Sequence, residues 1–589
     1  MRRVSSIPMR ISAVLFAMLA VSATAEVPYT IKIHGISDRE LIERLEEIST
    51  TSRLKNSPPA STAQLQRRID DDIPRLMEEL RARAYYNAEI EVEVDTDRSP
   101  ARVDFHIKTG KTYRLKNVTL TLNPVEGQEP PSITTALEPG KAGAARKIID
   151  EEERLLRVMQ VLGYPFATKR DRRVVVDHDA ESVSVEWIFE LGPRVRFGPV
   201  TVDGLTTVRQ SLIHRLVPWS TGDWYNVRKI DQLEKLLMRS AIFSRVEIVV
   251  EGTFNPGDEV PVRIHVQERK HRTVRIGAAY RSDTGVGAIV SWEHRNLFRT
   301  GERIEFEVSI SEVLVGGEVR FSKPGVLRHD QRFLVDQRFF QEDTDAFQNE
   351  VIETVVGIER AIENEIRALV GIGYKYDDVQ QKIDSEIFGL IFLPIRFDWN
   401  PSDNLLDPTS GWRLILEATP FADTKGKDVA WLRSFAEYRQ YLGIFRTPQI
   451  ILAARIAGGT LTGEGRDDIP ADERFYAGGG GSIRGYEFQS VGPLAADGTP
   501  IGGDTLLETS IEIRTRFGES FGAVGFLDGG NVFRDGWPDD DEDIRWGIGA
   551  GIRYYTGIGP IRADIAFPLN RRDEIDESYQ FYISLGQAF

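Results

Sequence analysis

Apolar and polar residues alternate with a period of two throughout the C-terminal half of the chain, from Thr273 to Phe589. Residues 544–554 illustrate the pattern, because Ile, Trp, Ala or Tyr occupies every even position and Arg or Gly occupies every odd one. Successive residues of a strand face opposite sides, so each segment predicts a strand with one apolar and one charged face. About sixteen such segments begin near residues 273, 286, 302, 315, 331, 347, 364, 385, 411, 429, 448, 505, 521, 544, 560 and 579.

These segments predict an antiparallel transmembrane β-barrel of about sixteen strands over residues 271–589. A soluble β-sandwich also alternates, but its apolar faces would meet a second sheet. The mixture of Glu, Arg and Gly on the polar faces fits a water-filled lumen better, with the apolar faces in lipid. An even number of strands also allows the sheet to close and leaves no unpaired edge.

Helical and strand periodicities mix over residues 27–270, where one pattern recurs about every 80 residues. A helix runs into a short strand near residues 85, 163 and 241. An alternating strand follows each time, at Val103–Lys108, Val183–Glu190 and Val260–Gln267. The pattern predicts three small α+β domains, each with one strand, two helices and two further strands, at 26–110, 111–192 and 193–270. A single mixed domain with accidental internal similarity is the alternative.

The first 25 residues have the features of a secretory signal peptide. Arg2, Arg3 and Arg10 precede an apolar core at 11–21, and Ala-Thr-Ala at 23–25 is a small-residue cleavage site. A short membrane anchor is the alternative, although the apolar run is short for spanning a bilayer. We therefore expect an exported chain that begins at Glu26.

Composition narrows the classes of function. The chain has 589 residues, no Cys and a net charge of −16. The absence of Cys excludes disulfides, thiolate metal sites and Cys nucleophiles, and the acidic balance argues against nucleic-acid binding. The eight His show no His-Glu-x-x-His spacing, and no Gly-x-Ser-x-Gly surrounds Ser482. We predict a protein that is not an enzyme and has no cofactor or metal site; a barrel hydrolase and a passive porin are the rivals.

One long segment, about 461–504, interrupts the alternation between two strands. Long loops without regular structure are usually functional or disordered. This loop contains a run of four glycines followed by Ser482-Ile483-Arg484-Gly485-Tyr486. No Gly-Lys-Ser/Thr follows the glycines, so a phosphate-binding loop is excluded. Gly allows a tight turn and the Arg fork can bind carboxylates in bidentate fashion, which favours a functional role over a plain surface loop.

The loop motif resembles the Val-Arg-Gly-Phe/Tyr motif of the superfamily of outer-membrane assembly and secretion proteins, which includes BamA and combines POTRA domains with a barrel. Ser510–Arg514 resembles that family's strand twelve, and Gly525–Gly530 resembles strand thirteen. Residues 407–412 resemble a family turn, and the 80-residue units resemble POTRA domains. The resemblance implies that the loop folds into the lumen. It also implies that the loop is held in the lumen by a set of residues, the lumen lock, in which the carboxylates of the wall bind the loop arginine. The residues of this lock are Arg484, Gly485, Tyr486, Glu512 and Asp528.

The number of POTRA-like units is similar to that of one branch, the translocation and assembly module subunit TamA. That resemblance implies an insertase for autotransporters and other barrel proteins in the outer membrane of a Gram-negative bacterium. The implied partners are unfolded outer-membrane clients, the lipid bilayer and a TamB-like inner-membrane-anchored subunit that docks on the periplasmic POTRA domains. The alternatives are a two-partner-secretion transporter and a general BamA-like assembly factor.

Two further surfaces follow from the predicted architecture. Exposed edges of the small sheets, to which Val183–Glu190 and Val260–Gln267 belong, would accept a partner strand. The barrel closes where its first strand, Thr273–Tyr280, meets its last, and Gly586 matches a kinking glycine of family members. We expect a lateral gate between these two strands, whereas tight packing alone is the other explanation of Gly586. The predicted gate residues are Thr273, Ala278, Tyr280, Phe581, Ile583, Leu585, Gly586 and Phe589. The apolar members near the C-terminus, together with Tyr579, are expected on one face of the last strand.

Overall fold

The computed structural model describes residues 26–252, 258–281, 285–362, 365–381, 385–446, 448–518, 520–536, 543–557, 559–585, 587 and 589. The predicted signal peptide, residues 1–25, lies outside the described residues, and so does Gly586. Within the described ranges, no helix is both long enough and apolar enough to cross a membrane. The chain divides into two compact units, and the main segment of the first unit ends at Phe197. The other contains most of the third small domain together with the barrel.

Two small α+β domains make up the main segment of the first unit. The first contains β1 (Tyr29–His34), α1 (Arg39–Ile48), α2 (Thr50–Arg53), α3 (Thr62–Ala82), β2 (Glu89–Asp95) and β3 (Ala101–Lys108). The second contains β4 (Arg114–Pro124), α4 (Ala145–Val161), β5 (Thr168–Asp177) and β6 (Ser182–Gly192). Each sheet has three strands, in the order β1-β3-β2 and β4-β6-β5. Buried residues on one face of each sheet, such as Phe105 and Trp187, pack in the apolar core of their domain.

The third domain repeats this topology. It contains β7 (Arg196–Asp203), α5 (Gln210–Leu216), α6 (Val227–Arg239), β8 (Phe243–Val250) and β9 (Glu259–Glu268), with strand order β7-β9-β8. The central strand of each small sheet is thus the last strand of its domain in the chain. This corrects one aspect of the docking prediction: Val183–Glu190 and Val260–Gln267 are central strands, and both of their edges are already paired. In the described residues the edge strands of the three sheets are β1 and β2, β4 and β5, and β7 and β8, although loop residues 140–142 and 222–224 already bond to the first residues of β4 and β7.

The second domain also differs from the predicted unit, because α4 is its one α-helix in the fully described range 111–192. An extended connection over 125–144 replaces the expected first helix. This connection contains Pro130, Pro131 and Pro139. Proline lacks the N–H that an inner helical turn requires and clashes with the preceding turn, so a helix cannot run through the segment.

The barrel consists of one long antiparallel sheet. Its strands are β10 (Arg272–Arg281), β11 (Gly285–His294), β12 (Arg303–Ile310), β13 (Leu314–Pro324), β14 (Gln331–Asp343), β15 (Gln348–Ile362), β16 (Ile366–Gln380), β17 (Ser385–Phe392), β18 (Ile395–Trp399), β19 (Gly411–Asp423), β20 (Ala430–Arg446), β21 (Gln449–Thr462), β22 (Thr505–Phe517), β23 (Phe521–Phe533), β24 (Arg545–Thr556), β25 (Gly559–Pro568) and β26 (Gln580–Leu585). Strands β17 and β18 both pair with β16 and β19, so they are two halves of one crossing. The described residues therefore make sixteen crossings, which agrees with the predicted fold class. Pro394 lies between β17 and β18 and interrupts the eighth crossing, because proline has no N–H to donate to a neighbouring strand.

The two faces of the barrel differ as the alternation predicts. On β24, Ile552 is 68% exposed, whereas the neighbouring Arg553 is 2% exposed. The apolar side chains point outwards, and the charged ones line the inside of the sheet. A soluble sandwich would show the reverse distribution, with its apolar faces buried between sheets.

One backbone and two side-chain hydrogen bonds join the third domain to the turn between β11 and β12, which lies within the same unit. Arg209 N–H donates to the carbonyl of Arg299 at 2.7 Å, and the Arg299 Nε donates to the carbonyl of Thr207 at 2.9 Å. Arg215 Nη2 donates to the carbonyl of Thr300 at 2.8 Å. These bonds fix residues 207–215 on the barrel rim.

Glu268 orders the loop that makes this junction. Its carboxylate accepts the N–H groups of Thr206, Thr207 and Val208 at 2.7, 2.9 and 2.9 Å. Burial alone would raise the pKa of Glu268, but hydrogen bonds from the Thr207 hydroxyl and from these N–H groups lower it to about 2. The ionised carboxylate therefore stabilises the folded loop.

We expect Glu268→Gln to weaken the loop by about 1.5–3 kcal/mol, the usual worth of hydrogen bonds to a charged group. Amide exchange of Thr206–Val208 should then be faster than in the wild type at pH 7. Because the folded pKa lies below the unfolded value of 4.5, the difference should shrink as the pH falls from about 4.5 towards 2. Equal protection of the two proteins at pH 7 would contradict the role given to Glu268.

Candidate functional site: a long loop anchored inside the barrel

The connection between β21 and β22, residues 463–504, turns back into the barrel from the end opposite the third domain. Its apolar side chains Ile469, Phe475, Ile483, Tyr486 and Val491 belong to one buried cluster. The cluster includes inward residues of several barrel strands, namely Phe388, Leu390, Phe421, Trp431, Leu461 and Val532. The loop is thus a packed part of the barrel interior.

Arg484 is the most buried charged residue of the loop, with 2% exposure. Its guanidinium forms a bidentate pair with Asp528 of β23, in which Nε and Nη2 donate at 2.7 and 2.9 Å. Nη2 also lies 2.7 Å from Oε1 of Glu512 on β22. The guanidinium stacks 3.4 Å from the centre of the Phe526 ring. The structure therefore brings together Arg484, Glu512 and Asp528, three of the residues singled out in the sequence.

Asp564 on β25 is a member of this site that the sequence analysis missed. It is fully buried and lies 3.5 Å from Nη1 of Arg484. Asp564 also pairs with Arg553, and Glu512 pairs with Arg514 at 2.7 Å. Asp528, by contrast, has Arg484 as its one cationic partner among the described residues. The available signal was the inward position of Asp564 in its alternating strand, but nothing along the chain relates it to Arg484.

The two residues after Arg484 shape the turn. Gly485 has φ = +104°, a conformation that favours glycine, and an added β-carbon would crowd the backbone of Phe567. Tyr582 of β26 accepts the Gly485 N–H at 3.1 Å and donates its hydroxyl to the Tyr486 carbonyl. The Tyr486 hydroxyl donates to Asn570 at 2.8 Å. The turn is therefore tied to the last strand and to the loop after β25.

Gly547 on β24 allows the loop to approach the wall. A β-carbon at this position would overlap the carbonyl oxygen of Arg484, and that oxygen belongs to backbone that cannot rotate away. We expect Gly547→Ala to displace the Arg484 turn and to destabilise the folded barrel by about 1–3 kcal/mol, as overpacking usually does. The measurement is urea unfolding in lipid vesicles. Gly525→Ala on β23 is the matched control, since open space surrounds its β-carbon; equal effects of the two changes would refute the clash.

Six of the eight predicted gate residues lie on the first and last strands of the sheet, whereas Gly586 is outside the described residues and Phe589 lies beyond the end of β26. Thr273, Ala278 and Tyr280 belong to β10, while Phe581, Ile583 and Leu585 belong to β26. Phe581 faces outwards with 44% exposure. Each of these strands pairs with its neighbour along the chain, β11 or β25. Among the described residues no ladder joins β10 to β26.

The alternation predicts that the C-terminal residue, Phe589, shares the outward face of Phe581. This prediction is wrong. Phe589 is 8% exposed and packs with Tyr441 and Ala453 inside the barrel. Arg514 donates to its carbonyl at 3.1 Å, and the Arg514 guanidinium lies 5.0 Å from its ring. The strand β26 ends at Leu585, so the period-two rule no longer applies to the residues beyond it.

Comparison with known proteins adds family evidence to this geometry. A model described as "Omp85 superfamily domain" matches residues 296–589, and the POTRA model, described as "Surface antigen variable number repeat", matches residues 195–269. The outer membrane protein assembly factor BamA of Nitratidesulfovibrio vulgaris is 25% identical over 544 residues, covering 84% of this chain and 65% of that protein. BamA of Neisseria meningitidis serogroup B is 21% identical over 569 residues, covering 85% of this chain and 70% of that protein.

The chain thus spans slightly less than two thirds of the length of the Nitratidesulfovibrio relative. Among solved structures, BamA from Haemophilus ducreyi lacking POTRA domains 1–3 matches with a TM-score of 0.61 and 16% identity. The match covers 81% of this chain and 100% of that one, and shows a common fold. The protein is a bacterial outer-membrane protein with its small domains in the periplasm. With its α+β domains followed by a sixteen-stranded barrel, the chain belongs to the Omp85 superfamily of POTRA-plus-barrel proteins.

Proposed function

We propose that this protein is an assembly factor that inserts unfolded β-barrel proteins into the outer membrane. The observation that carries the proposal is the buried Arg484 site, which holds a long loop inside a barrel that follows POTRA domains. A passive porin needs an open lumen, and this barrel carries a packed loop instead. The relatives are themselves named assembly factors, which favours this function over that of a barrel hydrolase.

The first and last strands, β10 and β26, are the proposed working part. The last strand has six residues, whereas the first has ten, and the C-terminal Phe589 is held in the lumen. Unpaired backbone groups are costly in hydrocarbon, so an opened seam would offer a strong template for a new strand. A client strand that pairs with this edge gains its hydrogen bonds as it enters the membrane. This lateral gate would lower the barrier to insertion.

The free edges of the POTRA sheets are the proposed docking sites in the periplasm. Within the described ranges, strands β2, β5 and β8 each pair on one side only, with β3, β6 and β9. An extended segment of a client could add to such an edge by main-chain hydrogen bonds. A TamB-like subunit anchored in the inner membrane is the proposed partner on the same domains. Three POTRA-type domains also support a TamA-like preference for autotransporters.

The function is tested with the purified full-length chain in vesicles of outer-membrane lipids. A urea-unfolded barrel client and an autotransporter barrel are added separately, and their folding is followed by heat-modifiable migration in gels. We expect the protein to accelerate both, with the larger effect on the autotransporter. Vesicles with a passive porin are the control. A rate equal to that control would refute the assembly function, whereas equal acceleration of the two clients would refute only the TamA-like preference.

A further inference from the structure

A second buried ion cluster contacts the first part of the lumen loop. Lys375 of β16 is 3% exposed, and its ammonium lies 3.0 Å from Oδ2 of Asp377 and 2.7 Å from Oε1 of Glu473. The same ammonium donates to Asp472. Asn349 of β15 donates to Oδ2 of Asp472 at 3.0 Å. A basic and an amide side chain of the wall thus bind two neighbouring carboxylates of the loop.

The two loop carboxylates are presented by a short turn with its own support. Residues Ala471–Glu473 form a 3₁₀ turn, and the Tyr476 hydroxyl donates to the carbonyl of Ala471 at 3.0 Å. The Tyr476 ring packs on Phe347 with a centroid distance of 5.9 Å. This part of the loop therefore rests on the wall next to β15 and β16.

The Lys375 cluster and the Arg484 site lie on different parts of the barrel wall. Strand β16 is the seventh crossing of the sheet, whereas the partners of Arg484 belong to the twelfth, thirteenth and fifteenth crossings. The loop reaches from one to the other between Glu473 and Arg484. The two clusters share no residue in the ion pairs of the described chain.

The charges of the cluster make Lys375 necessary for the loop to stay in place. One ammonium faces three carboxylates, whose side chains are 0%, 7% and 14% exposed for Asp377, Asp472 and Glu473. Without the ammonium, the carboxylate of the wall and those of the loop would repel each other at short range in a site with little water. Burying one unpaired charge is already costly, so the loop would move away.

We propose that Lys375 is a positioning residue that anchors the first part of the lumen loop independently of Arg484. Loss of the Arg484 site alone then frees the turn at 483–486 but leaves residues 471–473 on the wall. The loop moves as a segment attached at its first part, and the lumen is only partly cleared. The consequence for client assembly rests on the function proposed above, but the position of the loop does not.

The test uses single Cys reporters, for which the chain is suited because it contains no Cys. Ala471→Cys reports on the first part of the loop and Ile483→Cys on the turn, since both residues are buried, at 2% and 0% exposure. The full-length protein in lipid vesicles is treated with a membrane-impermeant maleimide. Labelling rates measure how often each site opens to water.

Asp472→Asn combined with Glu473→Gln removes the loop side of the cluster and leaves the Lys375–Asp377 pair intact. We expect labelling at position 471 to accelerate at least about tenfold, with little change at position 483. Arg484→Ala should instead accelerate labelling at position 483 and leave labelling at position 471 nearly unchanged. Asp467→Asn combined with Asp468→Asn is the matched control, because both residues are exposed in the same loop. Unchanged labelling at 471 in the first variant, or acceleration at both positions, would overturn the proposal.

Lys375→Met and Lys375→Arg test the wall side. The Met variant should accelerate labelling at 471, and the Arg variant should restore slow labelling because it keeps the charge. Heat-modifiable migration shows whether each variant is folded; if Lys375→Met does not fold, the loop-side variant decides. Because no client is present, a negative result here is distinguishable from a failure of the assembly function.

Discussion

Replacing Arg484 with alanine should release the turn of the lumen loop and reduce client assembly more than any other single change in the barrel. The principal loss is at Asp528, which is fully buried and has Arg484 as its one cationic partner among the described residues. Glu512 and Asp564 keep Arg514 and Arg553. Breaking a buried pair from one side costs about 3–5 kcal/mol, because an uncompensated charge remains.

Urea unfolding in vesicles measures this loss, and the assembly assay measures its consequence. Arg484→Ala combined with Asp528→Asn should recover much of the free energy of unfolding, since the unpaired charge is gone. It should not recover assembly if the position of the loop is what assembly requires. Arg571→Ala is the control, because Arg571 is a half-exposed surface arginine. A wild-type assembly rate for Arg484→Ala would show that the lock has no part in the function.

A disulfide across the seam should stop assembly almost completely. Cys at Ala278 and at the residue near Ser584 that faces it would join β10 to β26 in a background without other Cys. If clients enter through this seam, a covalent bond removes the edge on which their strands would pair. The oxidised protein should therefore assemble clients at the rate of empty vesicles, and a reductant should restore the wild-type rate.

The control is a disulfide between two neighbouring strands away from the seam. Phe306 and Val319 are directly opposite each other on β12 and β13, so Cys at both positions should form a bond without effect on assembly. Gel mobility before and after reduction shows how much of each bond has formed. If a fully oxidised seam variant assembles its clients at the normal rate, the lateral gate is wrong and another route must be sought.

Much of the barrel could be predicted from the sequence because the alternation of a strand is local. Each residue of 544–554 occupies the face that its position in the pattern assigns, since successive side chains point to opposite sides. The inward positions of Glu512 and Asp528 follow from the same rule. The pattern fails beyond Leu585, where β26 ends and Phe589 turns into the lumen.

The small domains show a second limit of the pattern. Periodicity places the strand Val183–Glu190 correctly, but residues 163–166 form a turn and β5 begins only at Thr168. The prolines in 125–144 also exclude one of the two expected helices. The order of strands in each sheet is also invisible along the chain. Strand β6 is central because β4 and β5 pair on its two sides, and that pairing is a contact between distant segments.

The sequence by itself determined the number of barrel strands, their two faces and the glycine-rich turn around Arg484, because all three depend on neighbours in the chain. Only the tertiary structure decided which charges meet. Arg484 and Asp564 are 80 residues apart, and Lys375 and Glu473 are 98 apart. Many inward Arg, Lys, Asp and Glu side chains fit the alternation equally well. Which of them form a buried pair depends on closure of the barrel and on the path of the loop across the lumen.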